Sequence, residues 1–526
     1  MTTNPYANFG YSVLTAQRDR GPDRIALVHG TVSISYKDLD DDVNRVANAL
    51  LAAGIKPGAR VATLLSSTLS VAKIYLAQNK IGSVLCALNP YWDEPTLQAI
   101  VAEIEATAFV YDSEFDAVVD RLRPHFPLIE QWVRTGAAAE AVESATDLDG
   151  LTAKASVDAP HLGASGSDPL ALFFTSGSTG LPKAVIYTHA SGLAVARDLW
   201  VDVPTGQDGS LGTGPIIWGV GFIAVAAPAL AAGLRLVLEE NFGPEQFLET
   251  VPREKITHIS VTPSFFGELL SDDRHRGIDL TSLRVAMLGG EPLLPALQER
   301  IHERLPQLDL YGYYGQTEAP YSVIGRAGDD DVAGGAVGRA RFGGAVRVVD
   351  GGGQPVVDQV GEIQIRGPHV TVGYANRPEA TEQALVDGWF IGGDVGSIDQ
   401  KGRVTVLGRR ADAIERDGAM TLPTQIEDVA SRVPGVLEAG AVGIGDDTGR
   451  THILLVISIR GDQEAVIAHV ERRLDESLPG AARPDRIVVA DSLPHAVDGS
   501  GGRGKLLRRK LIEDYSNVFA ATSGRR

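Results

Sequence analysis

The stretch LFFTSGSTGLPKAVIYTH, residues 172–189, organises the reading of the whole chain. Its ends, Leu172–Phe174 and Ala184–Tyr187, are apolar-rich in the manner of buried strands. Between them run Thr175, Ser176, Gly177, Ser178, Thr179, Gly180, Leu181, Pro182 and Lys183. Glycines there let backbone N–H groups approach an anion, hydroxyls add donors, and the lysine adds a point charge. The pattern is a phosphate grip held between two strands. It departs from a Walker A loop, because Lys183 follows Pro182 and Ala184 stands where a Ser or Thr would bind magnesium. A plain Gly/Ser surface hairpin is the alternative for these residues alone.

On either side of the grip, strand and helix patterns alternate. Val32–Tyr36 reads as a strand, and Leu39, Val43, Val46, Ala47, Leu50 and Leu51 recur at helical spacing up to Gly54. Arg60–Leu65, Ala108–Tyr111 and Ile129–Val133 read as further strands, and Ser70–Lys80 as a helix. Leu234–Leu238, Thr257–Val261 and Leu283–Leu288 resume the rhythm, each before a helical pattern. Such layering with crossovers predicts an α/β fold. From about residue 337 to 409, short strands separated by Gly, Pro and Asp predict a β-rich subdomain. Residues 410–526 have their own apolar periodicity and predict a small α+β unit, with helices at 424–432 and 463–477.

Composition narrows the class. The chain has 526 residues, a net charge of −19 and 59 glycines. Glycine's usual share is roughly 7%, so the excess calls for many tight turns. An acidic surface repels phosphate backbones, so no nucleic-acid partner is expected. Cys86 is the one cysteine, which excludes an intrachain disulfide and fits a reducing cytoplasm. It lies in the apolar run Val84–Leu88 and is expected to be buried and inert. The amino terminus has no signal-peptide pattern. The uncharged stretch 209–234 is rich in Ala and Gly and contains Pro215 and Pro228, so a buried helix with flanking turns is expected there rather than a transmembrane segment.

Three further stretches carry chemistry. In YGYYGQTEAP, 311–320, Tyr314 can stack on a planar ring, Thr317 can donate to a phosphoryl oxygen, and Glu318 can hold a divalent cation. Read as an aromatic loop, it is equally open to core tyrosines and a solvated carboxylate. In DGWFIGGDVG, 387–396, Asp394 can accept both hydroxyls of a ribose, and Arg409 can reach the same sugar; a turn aspartate and a solvated arginine are the alternative. Gly499–Lys510 spells G-x-G-x-x-G, yet too few residues follow Gly504 to build a second strand, so no dinucleotide fingerprint is present. The histidines are scattered and have no zinc spacing, and His189 is the one placed to matter.

Together TSGSTGLPK (175–183), YGQTE (314–318), GWFIGGD (388–394), GRRAD (408–412) and GK (504–505) resemble, in order and spacing, the adenylate-forming superfamily of acyl- and aryl-CoA synthetases, adenylation domains and luciferases. GEIQIRGPHVTVGYANRPEAT, 361–381, matches that family's connecting motif, and the resemblance spans roughly residues 20–512. It implies a multi-layer α/β/α adenylation core over 1–409, including the β-rich subdomain, and a mobile carboxy-terminal lid over 410–526. It also implies that a carboxylate attacks the α-phosphorus of ATP and that a thiol then takes the acyl group. By position, residues 175–183 would handle the β- and γ-phosphates, and Gly289, Gly290 and Glu291 would border the adenine. Tyr314 would pack on adenine within the run Tyr314, Gly315, Gln316 and Thr317. Thr317 would contact the α-phosphate, and Glu318 would coordinate Mg2+. Asp394 and Arg409 would hold the ribose, and Lys505 would be the mobile catalytic lysine.

The chain departs from the family pattern at Ala411, in place of the hinge Asp or Lys, and in the ten-residue step from Pro494 to Gly504. Trp218 matches the aromatic position of the acyl pocket, and Gly315 stands where acetate-type members carry a bulky residue. These features imply depth for a medium- or long-chain aliphatic or an aromatic acid. The absence of aspartate from 209–234 argues against amino-acid activation. Coenzyme A is the expected acceptor. The alternatives are loading of a carrier-protein phosphopantetheine, a luciferase-like reaction, or a noncatalytic acyl- or nucleotide-binding module. A monomer or homodimer is expected.

Overall fold

The computed structural model describes residues 5–519 except 67, 137–144, 161–163, 176–180, 207–208, 215, 218, 220, 271–274, 294, 417, 447–449 and 498–502. Two sheets carry the amino-terminal part. The first runs Thr146–Asp147, Gln131–Thr135, Ala108–Asp112, Arg60–Leu64, Val84–Ala87, Pro169–Phe174 and Ala184–Thr188. Its neighbours are parallel except for the last pair, the two strands that flank the grip. A parallel strand covered on both faces reads as a continuous apolar run, as Val84–Ala87 does. Cys86 within it is fully buried, and burial pushes its thiol up to about 12, so it is inert as expected.

The second sheet has Val32–Ser35 antiparallel at its edge, then a parallel block in the order Ile25–His29, Arg235–Leu238, Ser210–Thr213, His258–Val261, Val285–Leu288 and Asp309–Gln316. It then turns antiparallel through Ala319–Arg326, Gly338–Ala340, Arg403–Arg409, Trp389–Ile398, Val360–Arg366 and Ala345–Val349. The β-rich stretch therefore continues the same hydrogen-bonded sheet. Gly338 makes the junction, since a Cβ there would stand 2.1 Å from Ile324 O and its φ is +152°. Only glycine fits.

Helices Tyr36–Ala52, Thr68–Ile81, His189–Asp202 and Ala227–Ala232 lie between the sheets. Their apolar residues join Phe173 and Tyr187 of one sheet with Leu211, Leu236 and Met287 of the other in one core. The outer faces have cores of their own around Phe109 and Phe266. Local chemistry starts these helices. Ser35 Oγ accepts from Asp38 N, and Thr188 with Ser191 forms a capping box, each worth about 1 kcal/mol. The uncharged stretch forms strand Ser210–Thr213 and a π-type turn, Gly221–Ala226, leading into Ala227–Ala232. Among the described residues no helix is long and apolar enough to cross a membrane.

Beyond the exposed turn Arg410–Asp412, strands Val436–Gly445, Thr451–Ile459 and Arg486–Val489 form a separate sheet. Helices Pro423–Ser431 and Gln463–Ser477 cover one face, and Leu511 of helix Arg508–Asp514 packs on the other. Arg508 clamps both oxygens of Glu427 at 2.7 Å and ties the last helix to this unit. A large mixed α/β body with a smaller α+β unit is the architecture expected from the sequence.

Candidate active site

In sheets of this kind a crevice opens beyond the carboxyl ends of the parallel strands. Strands Pro169–Phe174, Val285–Leu288 and Asp309–Gln316 end there with the grip, the Gly-Gly-Glu run and the tyrosine-rich run. The grip closes at its base. Thr175 N donates to Lys183 O at 3.1 Å, and Lys183 N donates to Thr175 Oγ1 at 3.3 Å. Ser176, Gly177, Ser178, Thr179 and Gly180 lie outside the described residues.

Residues 311–320, expected as an aromatic loop, form a β-hairpin instead. Strand Asp309–Gln316 pairs with Ala319–Arg326, and Thr317 and Glu318 make the turn. Strand alternation puts Tyr314 and Gln316 on one face, where both reach one carboxylate. Tyr314 Oη donates to Asp394 Oδ2 at 2.6 Å, and Gln316 Nε2 donates to the same oxygen at 2.6 Å. Arg409 Nε lies 3.1 Å from Asp394 Oδ1, because the two residues face each other across neighbouring strands. Burial and the adjacent Asp394 charge raise the Tyr314 phenol well above its usual value, so it stays a donor. Asp394 is 5% exposed, while Arg409 is half exposed. Three of the sequence motifs thus meet at one aspartate. Gly392 permits the meeting, since a Cβ there would stand 2.2 Å from Gln316 Nε2.

A second cluster forms at the hairpin turn. Tyr187 Oη donates to Thr317 O. Glu318, 7% exposed, accepts at Oε1 from Tyr374 Oη at 2.7 Å. Lys183 Nζ stands 4.9 Å from the centroid of the Tyr374 ring. Sequence reasoning did not single out Tyr374 or Tyr187; Tyr374 lies inside the 361–381 motif that signalled the region.

Other expectations land differently. A Cβ on Gly289 would lie 2.3 Å from the Tyr313 ring, so that ring closes over the Gly-Gly turn, and Gly290 has φ +82°. Glu291 Oε1 accepts from Ser264 Oγ at 2.8 Å. At Gly315 a Cβ would stand 2.6 Å from Tyr321 N and 2.7 Å from Ala319 O. That glycine is demanded by the returning hairpin strand. His189 serves the packing of the core. It is fully buried, its Nδ1 accepts from Phe9 N at 3.0 Å, and burial lowers it to about 4. Trp218 lies outside the described residues. Lys505 sits on strand Arg503–Leu506, and its side chain also lies outside them. That strand pairs antiparallel with His495–Val497, and residues 498–502 of the extra stretch lie outside the described residues. The same strand approaches helix Pro263–Leu269 of the large body.

Residues 14–375 match the family model of the AMP-binding enzymes, and residues 425–500 match that of the AMP-binding enzyme C-terminal domain. The chain belongs to the AMP-binding enzyme family. This AMP-binding enzyme is 30% identical over 497 residues to a feruloyl-CoA synthase of Amycolatopsis, covering 93% of this chain and 96% of that one. It is also 30% identical over 496 residues to the fatty acid–[acyl-carrier-protein] ligase ScoC of Streptomyces coeruleorubidus, covering 92% of each. The structure of ATP-bound MatB from Rhodopseudomonas palustris superposes with a TM-score of 0.86 at 26% identity, over 98% of this chain and 99% of that one. Family, fold class and the AMP-forming acid–thiol ligase type all stand as the motifs implied.

Among the described residues no group of three or more His, Cys, Asp or Glu could cage a metal ion. Magnesium held mainly by phosphate oxygens needs only one or two carboxylates. Glu318 fits that requirement, because Tyr374 engages Oε1 and leaves Oε2 for such an ion.

Proposed function

We propose that this enzyme uses ATP to convert a medium- or long-chain aliphatic or an aromatic carboxylic acid into its acyl adenylate, and then passes the acyl group to coenzyme A. A carboxylate oxygen attacks the α-phosphorus, the bond to the β-phosphate breaks, and pyrophosphate leaves. The thiol sulfur then attacks the acyl carbon, AMP departs, and the thiol proton passes to solvent.

The arrangement around Asp394 carries this reading. A buried carboxylate ringed by a phenol, an amide and a guanidinium is built to take the two hydroxyls of a ribose. Arg409, half exposed, is free to swing aside for the sugar. Gly289, Gly290 and Glu291 border the adenine, and Tyr314 packs on it. Thr175 and Lys183 brace the grip on the outer phosphates, and Thr317 faces the α-phosphate. Mg2+ at Glu318 would offset phosphate charge. Lys505 brings the cation that lets two anions meet, which at low dielectric is worth several kcal/mol. The feruloyl-CoA synthase supports an aromatic acid and CoA as acceptor. The ScoC relative supports a second reading, in which a carrier-protein thiol accepts a fatty acyl group.

A panel of aliphatic and aromatic acids tests both, through ATP–pyrophosphate exchange and then thioester formation with CoA or with a carrier protein. Exchange that depends on added acid is expected, with thioester from CoA alone. Thioester formed only on the carrier would establish the second reading. Lys505→Ala is expected to lower exchange at least 100-fold, and an unchanged rate would remove Lys505 from the chemistry.

A further inference from the structure

Tyr374 belongs to a short segment that stitches three parts of the fold together. Ile186 N donates to Gly373 O at 2.9 Å, and Ala375 N donates to Ala184 O at 2.8 Å. These bonds place Tyr374 opposite Val185 on the strand that leaves the grip. On the other side Thr371 N donates to Glu318 O at 2.8 Å. Tyr374 N itself donates to Thr381 Oγ1 at 3.0 Å, which fixes the residue from behind. The side chain is 6% exposed and has little freedom.

The two ends of that side chain do different things. Its hydroxyl donates to Glu318 Oε1 at 2.7 Å, a charge-assisted bond. Its ring carries the Lys183 ammonium at 4.9 Å from the centroid. Lys183 and Glu318 come from different sheets and have opposite charges. Left to themselves, such groups would close into an ion pair and neutralise each other. Among the described residues no ion pair joins them; each meets Tyr374 instead, Glu318 at the hydroxyl and Lys183 at the ring. Each charge is therefore held, oriented and still available.

Resting on the proposed reaction with ATP, we propose that Tyr374 is a positioning residue that keeps Lys183 and Glu318 apart, so that one triphosphate and its divalent cation engage both at once. The phenol ring spaces the cation, and the hydroxyl fixes the rotamer of the carboxylate. Tyr374→Phe removes only the second action, and Tyr374→Leu removes both.

The test is equilibrium binding of ATP to the full chain by titration calorimetry, with and without Mg2+, beside the wild-type melting temperature. For Tyr374→Phe we expect the Mg2+ concentration at half-maximal enhancement of ATP binding to rise about 10-fold, with cation-free ATP affinity within twofold of wild type. For Tyr374→Leu we expect cation-free affinity to fall as well, about fivefold. In a Glu318→Gln background, Tyr374→Phe should shift the Mg2+ dependence no further. An unchanged Mg2+ midpoint in folded Tyr374→Phe, or an additive shift in the double variant, would overturn the proposal. Wild-type protein that binds no ATP at all would instead overturn the reading on which it rests.

Discussion

At the scale of single residues, two buried histidines give the protein a measurable acid sensitivity. His189 is lowered to about 4 by burial, and His369 to about 3 by burial and the nearby Arg341. Both are neutral in the folded chain, whereas in the unfolded chain they titrate near about 6.5. Between pH 6.5 and about 4 the unfolded state therefore binds more protons, so stability falls as pH falls through that window. Below about pH 3 these two add no further loss. The melting temperature is expected to drop from pH 7 to pH 4, and less steeply in His369→Gln, which cannot take up the proton. Parallel profiles for the variant and the wild type would show that His369 is not a source of the slope. His189 was noticed in the sequence for its place beside the grip. Its real role, tying the amino-terminal arm through Phe9, depends on a contact 180 residues away that no local pattern encodes.

At the scale of elements, the hairpin Asp309–Arg326 and the strand Trp389–Ile398 build the cluster around Asp394 between them. Two of their glycines do opposite jobs. Gly392 leaves room for the flexible end of Gln316, so Gly392→Ala should displace that amide and weaken ATP binding about 10-fold by calorimetry, with little change in melting temperature. Gly315 faces backbone, which cannot move aside, so Gly315→Ala should cost about 1–3 kcal/mol of stability in denaturant unfolding. A stable Gly315→Ala protein with only an altered acid preference would show that the position acts on the acid instead. Tyr314, Asp394 and Arg409 were all legible as candidates from residue type and order. The loop assignment failed because Gly, Tyr and Gln alternate without an apolar face, and it is sheet pairing on both sides that makes the segment a strand.

At the scale of the whole molecule, the exposed turn Arg410–Asp412 is where we place the hinge between body and lid. Trypsin is expected to cut the native protein after Arg409 or Arg410, giving fragments of 409–410 and 116–117 residues. ATP with a saturating acid should slow the cut by holding the lid against the body. Equal rates with and without ligands would argue for a lid that does not move on binding. Residue order alone determined the α/β layering, the α+β end of the chain and the family, because periodicity and motif spacing are local. Tertiary structure alone decided that the β-rich stretch extends the central sheet, that three distant motifs converge on Asp394, and that Tyr374 touches both Lys183 and Glu318. Strand pairing and side-chain reach across a sheet are set by packing between segments far apart in the chain, and local sequence carries no record of them.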